Sequence, residues 1–148
     1  MARFWYPTCT PRKLNMSNTN FSTTSSTQTL TLASGVETVV ASFTDLSLAK
    51  SIYLAVKVTA GDDLTAFKMQ VRYGPDFDWQ DYLDSNDWTG TNKPAQHLWA
   101  SGNPASLAEG EGAEVQAQTL GFVEAQFLAT NADSGTSTIQ IAARAIQK

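Results

Sequence analysis

The residues in this chain that are best suited to chemistry lie in one short stretch, residues 76–88, with the sequence DFDWQDYLDSNDW. It contains five aspartates and four aromatic residues, although only 16% of the whole chain is charged. Dense carboxylates suit a calcium loop or a pair of catalytic acids, and flat aromatic rings beside acceptors suit a sugar platform. A fourth interpretation is structural, an acidic turn between two strands.

The calcium interpretation fits poorly. Oxygen ligands at the first, third, fifth and twelfth positions of an EF-hand loop are loosely supplied by Asp76, Asp78, Gln80 and Asp87. The position that requires glycine is Asp81, however, and no glutamate closes the loop. An acidic loop of another shape stays open as a minor alternative for a structural cation, but we expect no metal site and no cofactor.

Catalytic interpretations find little support elsewhere in the chain. His97 is the only histidine and lies among apolar neighbours, and Cys9 is the only cysteine and lies in a polar segment. With no serine in a nucleophile elbow, a catalytic triad is nearly excluded. Any two of the aspartates could form a glycosidase pair, but sequence spacing selects none of them. No phosphate-binding glycine loop is present either, and we expect a protein that is not an enzyme.

Strand alternation divides the aromatic residues of the stretch. Trp79 and Tyr82 are three residues apart and therefore point to opposite faces of a strand, so at least one of them is predicted to be core. Residues 74–78, GPDFD, have turn chemistry, which makes residues 71–83 a strand, a turn and a strand. Most of the aspartates then shape turns. Trp88 is left as the aromatic best placed to contact a partner or a sugar.

Period-two patterns predict strands throughout the rest of the chain. Residues 51–60 and 65–73 flank the turn Gly61-Asp62-Asp63 and are predicted to form a hairpin. Residues 122–130 and 136–146 are predicted to form a second pair. A third pair, residues 29–32 and 37–43, flanks a turn at Ser34-Gly35. The predicted inward residues of the four longer strands are Ile52, Leu54, Val56, Val58; Phe67, Met69, Val71, Tyr73; Val123, Ala125, Phe127, Ala129; and Ile139, Ile141, Ala143, Ala145. Seven or eight such strands predict an all-β protein, a two-sheet antiparallel β-sandwich with jelly-roll-like topology.

The chain is long enough for one domain with its own core. Residues 17–29 are Ser, Thr, Asn or Gln at every position except Phe21 and cannot bury enough apolar surface to order themselves. We therefore predict an extended N-terminal arm over residues 1–28 and a β-sandwich domain over residues 29–148. Residues 84–116 have weak periodicity and are predicted to be a long connection that serves as a functional or interface loop.

Charge separates the arm from the body. Residues 1–36 carry three basic residues and no acid, whereas residues 37–148 carry seven Lys or Arg against fourteen Asp or Glu. These opposite signs attract, within a subunit or between neighbouring copies, while the acidic body would repel phosphate, so nucleic acid is not an expected partner. No run of apolar residues is long enough for a membrane span, and the N-terminus lacks the apolar region of a secretory signal. The predicted partner-binding residues are Arg3, Phe4, Trp5, Tyr6, Arg12, Lys13, Phe21 and Trp88.

Three features resemble the small β-sandwich structural proteins of tailed bacteriophage virions: the hairpin FKMQVRYGPDFDWQDYL, the closing pair GFVEAQFLATNADSGTSTIQIAARAI, and the polar, basic arm. The resemblance covers residues 36–148 in pattern. It implies a capsid decoration (cement) protein that binds the major capsid protein or other virion proteins and resides in the virion after assembly in the host cytoplasm. We also expect a homo-oligomer, a dimer or a trimer. The alternative is a carbohydrate-binding or receptor-binding tail module that uses exposed aromatic residues.

Overall fold

The computed structural model describes residues 14–15, 20–21, 26–85, 88, 98–132 and 135–147. Within these residues there are eleven strands and two short 3-10 turns, Leu46–Leu48 and Pro104–Ser106. The strands are β1 (Leu14–Asn15), β2 (Asn20–Phe21), β3 (Ser26–Leu32), β4 (Thr38–Phe43), β5 (Ala49–Gly61), β6 (Leu64–Arg72), β7 (Gln80–Leu83), β8 (Leu98–Ser101), β9 (Gly112–Gln118), β10 (Glu124–Asn131) and β11 (Ser137–Gln147). No helix in this part of the chain is long and apolar enough to cross a membrane.

Two antiparallel sheets contain nine of these strands. The five-stranded sheet has the order β3-β11-β5-β9-β8, the four-stranded sheet has the order β4-β10-β6-β7, and β1 pairs only with β2. The predicted all-β, two-sheet antiparallel sandwich is therefore confirmed. Each sheet interleaves strands from both halves of the chain, an order compatible with the jelly-roll-like topology that the sequence predicts.

The core lies between the sheets and is built from alternate residues of each strand, because successive side chains of a strand point to opposite faces. The predicted inward faces of β5 and β11 are buried throughout. At the centre, the ring centroid of Phe127 lies 6.1 Å from that of Phe43 and 5.9 Å from that of Phe67. Tyr73 was predicted to face inward and does not: β6 ends at Arg72, so Tyr73 lies in the following turn and is 50% exposed.

The predicted hairpins at residues 61–63 and 131–135 are wrong, and β3 and β4 do not pair with each other either. In each case the two strands belong to different sheets, so the connection crosses the sandwich. A hairpin and a crossing both leave one apolar face on each strand, and alternation alone cannot tell them apart. All three crossings lie at one end of the molecule, which we call the Val36 end.

Buried polar side chains tie the three crossings together. Asn131, 1% exposed, accepts a hydrogen bond from the Gly35 N–H at 3.0 Å. Its amide nitrogen donates to the Gly135 carbonyl at 2.9 Å and to Ser137 Oγ at 3.0 Å. The Ser137 hydroxyl in turn donates to the Asp62 carbonyl at 2.6 Å. These bonds satisfy backbone groups that a hairpin ladder would otherwise pair.

The predicted long connection over residues 84–116 is only partly a connection. It contains β8 and most of β9, and β9 is an interior strand between β5 and β8. The alternation of Ala113, Val115 and Ala117, all buried, was the signal for β9. The stretch also contains the 3-10 turn Pro104–Ser106. At the other boundary, β3 begins at Ser26, inside the segment predicted as the arm.

Candidate docking surface

Residues 71–83 form the predicted strand, turn and strand. Strands β6 and β7 are antiparallel, with Gln70 opposite Asp81. The turn between them is closed by a hydrogen bond from the Phe77 N–H to the Gly74 carbonyl at 3.1 Å. Asp76 is exposed in this turn, as its turn chemistry predicts.

Asp81 is a paired carboxylate on the surface of the four-stranded sheet. It accepts a hydrogen bond from Gln70 Nε2 at 2.8 Å and lies 3.6 Å from Lys68 Nζ, which also pairs with Glu37 at 3.3 Å. The hydrogen bond from Gln70, and after it the charge of Lys68, lowers the pKa of Asp81. A catalytic general acid needs the opposite shift, so this carboxylate serves the strand pairing.

The aromatic residues of the stretch pack on the protein itself. Trp79 lies under the Arg72 guanidinium, 4.4 Å from the ring centroid, and Arg72 donates through Nε and Nη2 to Glu124 at 3.1 and 2.9 Å. Tyr82 packs on Phe122 with ring centroids 5.5 Å apart, and burial raises the pKa of Tyr82. The prediction that at least one of Trp79 and Tyr82 supplies core is confirmed for Tyr82, which packs against the core cluster.

Trp88 is buried, and the prediction that it contacts a partner or a sugar is wrong in this fold. Its side chain is 1% exposed, its ring meets Phe67 edge-on at 5.6 Å, and its Nε1–H donates to the Phe67 carbonyl at 2.6 Å. Strand β7 ends at Leu83, opposite Met69, so it stops short of Phe67. Ser85 Oγ accepts from the Phe67 N–H at 3.1 Å and donates to the Phe67 carbonyl at 3.4 Å, and the Trp88 indole donates to the same carbonyl.

The other predicted contact residues stay predictions. Arg3, Phe4, Trp5, Tyr6, Arg12 and Lys13 lie outside the described residues, as do His97 and Asp87. Phe21 lies on β2, opposite Leu14 in the register. Of the predicted arm, the structure describes only β1, β2 and the first residues of β3.

Exposed apolar side chains gather at the end of the sandwich opposite the Val36 end. Among the described residues, five large apolar side chains are about half exposed: Val36 51%, Leu48 46%, Tyr73 50%, Phe77 57% and Leu120 46%. All except Val36 come from the connections 44–48, 73–79 and 119–123. The strand registers place these connections at one end, because Phe43 lies opposite Ala125, Arg72 opposite Glu124, and Ser51 opposite Gln118. We call this the Leu120 end.

Backbone hydrogen bonds tie the connection 119–123 to the connection 44–48 and to the adjoining ends of β5 and β6. They run from Leu46 N–H to the Val123 carbonyl at 2.8 Å, from Thr119 N–H to the Lys50 carbonyl at 3.1 Å, and from Val123 N–H to the Arg72 carbonyl at 3.1 Å. A groove of about 200 Å³ lies between the 3-10 turn Leu46–Leu48 and residues 119–123. The apolar side chains thus stand on loops that are already held in place.

The apolar side chains exposed at this end offer a surface for binding. Within the described residues, no group of three His, Cys, Asp or Glu side chains converges as a metal site. The exposed turn carries Asp76 and Asp78 beside Phe77, which gives an apolar surface with an acidic rim. The sequence analysis did not predict this exposed apolar surface, although a large aromatic residue inside the polar turn GPDFD was a visible signal for Phe77.

Comparisons with known proteins add little to this geometry. No family model matches the chain, and neither does any curated protein sequence. Among solved structures, the crystal structure of SPBc2 prophage-derived protein YomS is similar to 82% of this chain and 96% of its own, at 14% sequence identity and a TM-score of 0.39. A likeness this distant supports no inference about the present chain.

Proposed function

We propose that this chain is a non-enzymatic structural protein of a phage virion, a capsid decoration protein that docks on the shell through its Leu120 end. The virion context comes from the sequence resemblance described above. The observation that supports docking is the concentration of half-exposed Leu48, Tyr73, Phe77 and Leu120 at one end, against Val36 alone at the other.

Contiguous exposed apolar side chains on a monomer mark interaction surfaces. Aromatic residues are enriched at the centres of interfaces, where a few of them contribute most of the binding energy. Full burial of a Phe or Leu side chain contributes about 1.5–3 kcal/mol. Repeated copies on a symmetric shell turn such modest single contacts into strong net attachment.

The position at which β3 begins supports a part for the predicted arm in the same contact. Strand β3 begins at Ser26 opposite Ala143, and β11 continues from there to Gln147 at the Leu120 end. The chain therefore enters the sandwich from the side of the Leu120 end. The basic and aromatic residues of the predicted arm and the apolar loops would then face one partner surface, with the arm ordering as it docks.

Location is the first test of the proposal. Purified virions of the phage that carries this sequence would be labelled with a gold-conjugated antibody against the chain and imaged by electron microscopy. We expect label distributed over the head. Label confined to the tail, or absent from intact virions that are otherwise well labelled by an antibody to the major capsid protein, would contradict a decoration role.

Truncation separates the arm from the body. Removal of residues 1–13 stops before β1, whereas removal of residues 1–28 would also take the first residues of β3, which pair with β11. We expect the shorter truncation to keep the unfolding midpoint and to bind particles more weakly. Full-strength binding by this folded truncation would show that residues 1–13 play no part.

A further inference from the structure

The outer face of the five-stranded sheet carries a groove of about 420 Å³. Its floor consists of small residues on three adjacent strands, Ala55 on β5, Ala142 on β11 and Gly112 on β9. Ala142 lies directly opposite Ala55, and Gly112 lies opposite Lys57. The longer side chains around these three positions form the walls of the depression.

Three polar side chains of different kinds line the groove: Lys57, Gln140 and Glu114. In the register, Lys57 lies opposite Gln140, while Glu114 lies opposite Ala55. Among the described residues, Lys57 has no ion-pair partner. The groove thus presents an ammonium donor, a carboxylate acceptor and an amide that does both.

A neighbouring aromatic residue supports the acidic wall. Tyr53 precedes Ala55 on the same outer face, and the Arg144 guanidinium lies over its ring at 5.0 Å from the centroid. Burial, and after it the Glu114 carboxylate acting as hydrogen-bond acceptor and as a charge, raises the pKa of Tyr53. The hydroxyl therefore stays protonated and interacts with Glu114. A side chain restrained in this way loses less entropy when a ligand binds.

We propose that this groove binds one pyranose ring of a carbohydrate. The alanine floor contacts the C–H face of the ring, while Lys57 and Gln140 donate to its oxygens and Glu114 accepts from a hydroxyl. A purely apolar ligand would desolvate the Glu114 carboxylate and also Lys57, which has no ion-pair partner among the described residues, and this is costly. Glu114 and the acidic body disfavour a phosphate-bearing ligand. A polyhydroxylated, uncharged ring satisfies all three groups at once.

The site is independent of the proposed docking. The groove lies on a sheet face and the apolar loops lie at one end, so a subunit attached through the Leu120 end keeps the groove open. The sugar-binding alternative from the sequence therefore moves from Trp79 and Trp88 to Ala55, Lys57, Glu114, Gln140 and Ala142. Failure of sugar binding would leave the docking proposal untouched, and the reverse holds as well.

Amide NMR tests the groove directly. The full chain would be titrated with the methyl glycosides of glucose, galactose, mannose and N-acetylglucosamine, and screened on a broad glycan array. We expect saturable shifts for at least one probe, centred on the amides of Ala55, Lys57, Glu114 and Ala142. Shifts centred elsewhere, or no binding to any probe or arrayed glycan, would overturn the proposal.

Variants distinguish the groove from general surface effects. Ala55→Leu fills the floor and should abolish the shifts, whereas Ala66→Leu, a matched change of a half-buried alanine on β6, should leave them unchanged. Glu114→Gln keeps the shape but removes the charge, and should weaken binding about tenfold, as expected for a hydrogen bond to a charged group. Unchanged affinity in Glu114→Gln would refute the assignment even if Ala55→Leu failed to fold.

Discussion

Trp88 supplies a hydrogen bond that strand β7 is too short to make. Its indole N–H reaches the Phe67 carbonyl, and its ring packs edge-on against Phe67 inside the core. The burial of so large a side chain and the pairing of a buried carbonyl are both expected to stabilise the fold. Trp79 differs, because it only stacks beneath Arg72 at a partly exposed position.

Substitution of Trp88 separates these two effects. Trp88→Phe keeps most of the ring but leaves the Phe67 carbonyl with only the longer hydrogen bond from Ser85 Oγ at 3.4 Å, so we expect the free energy of unfolding to fall by about 0.5–1.5 kcal/mol. Trp88→Ala adds a cavity and should cost about 3–5 kcal/mol. Urea unfolding measures both. Trp79→Phe is the control, and a loss equal to that of Trp88→Phe would contradict the distinction.

Titration of Asp81 tests whether its hydrogen bond from Gln70 is the main cause of its lowered pKa. Gln70→Leu removes the donor that is the main cause of the lowered pKa, so the pKa of Asp81 should rise towards its ordinary value. Lys68→Met should raise it less. Because the folded pKa lies below the unfolded one, this pairing stabilises the fold above the unfolded pKa and is lost as the pH falls through the folded pKa. Carboxyl NMR titration checks the order of the two shifts.

At the scale of elements, the Val36 end shows why strand faces were predictable and strand partners were not. The inward faces of β5 and β11 follow from alternation, which depends only on which side of a strand is apolar. Whether β6 pairs with β5 as a hairpin or crosses to the other sheet depends on contacts between residues far apart in the chain. Asn131 and Ser137 make those contacts with Gly35 and Asp62, and no local pattern marks them.

Asn131→Ala should weaken the crossings that contain Gly35 and Gly135. It removes the side-chain partner of the Gly35 N–H and of the Gly135 carbonyl, which lie on an exposed and a half-buried residue, at a cost of about 0.5–1.5 kcal/mol for each hydrogen bond. Hydrogen exchange should rise at residues 33–37 and 135–137 before the rest of the sandwich opens. Uniform exchange with an unchanged midpoint would show that Asn131 does not hold the crossings.

Gly61 tests how closely the crossings approach one another. It has φ +95°, and a side-chain carbon added there would lie 2.1 Å from the Thr136 carbonyl oxygen. Gly110 is the matched control, because its φ is +88° and an added carbon would meet no atom within 4 Å. Both alanine variants incur left-handed backbone strain of about 1–2 kcal/mol. Thermal unfolding should show a clearly larger loss for Gly61→Ala, and equal losses would argue against the close approach.

At the scale of the whole molecule, the two ends of the sandwich differ in character. The Val36 end is closed by buried polar bonds, and the Leu120 end exposes apolar side chains on loops that backbone hydrogen bonds hold together. Sequence alone predicted the sandwich but placed the contact at Trp88 and the arm. The Leu120 end could not be predicted, because it exists only once three connections, 44–48, 73–79 and 119–123, meet through the strand registers.

The most direct test of docking is the affinity of the Tyr73→Ser/Phe77→Ser double variant for phage particles that lack this chain. Val36→Ser removes a similarly exposed apolar side chain from the opposite end and is the matched control. A binding isotherm should show the double variant weakened about tenfold or more, as for loss of central aromatic contacts, and the control unchanged. Equal affinity of the folded double variant and the wild-type chain would contradict docking through the Leu120 end.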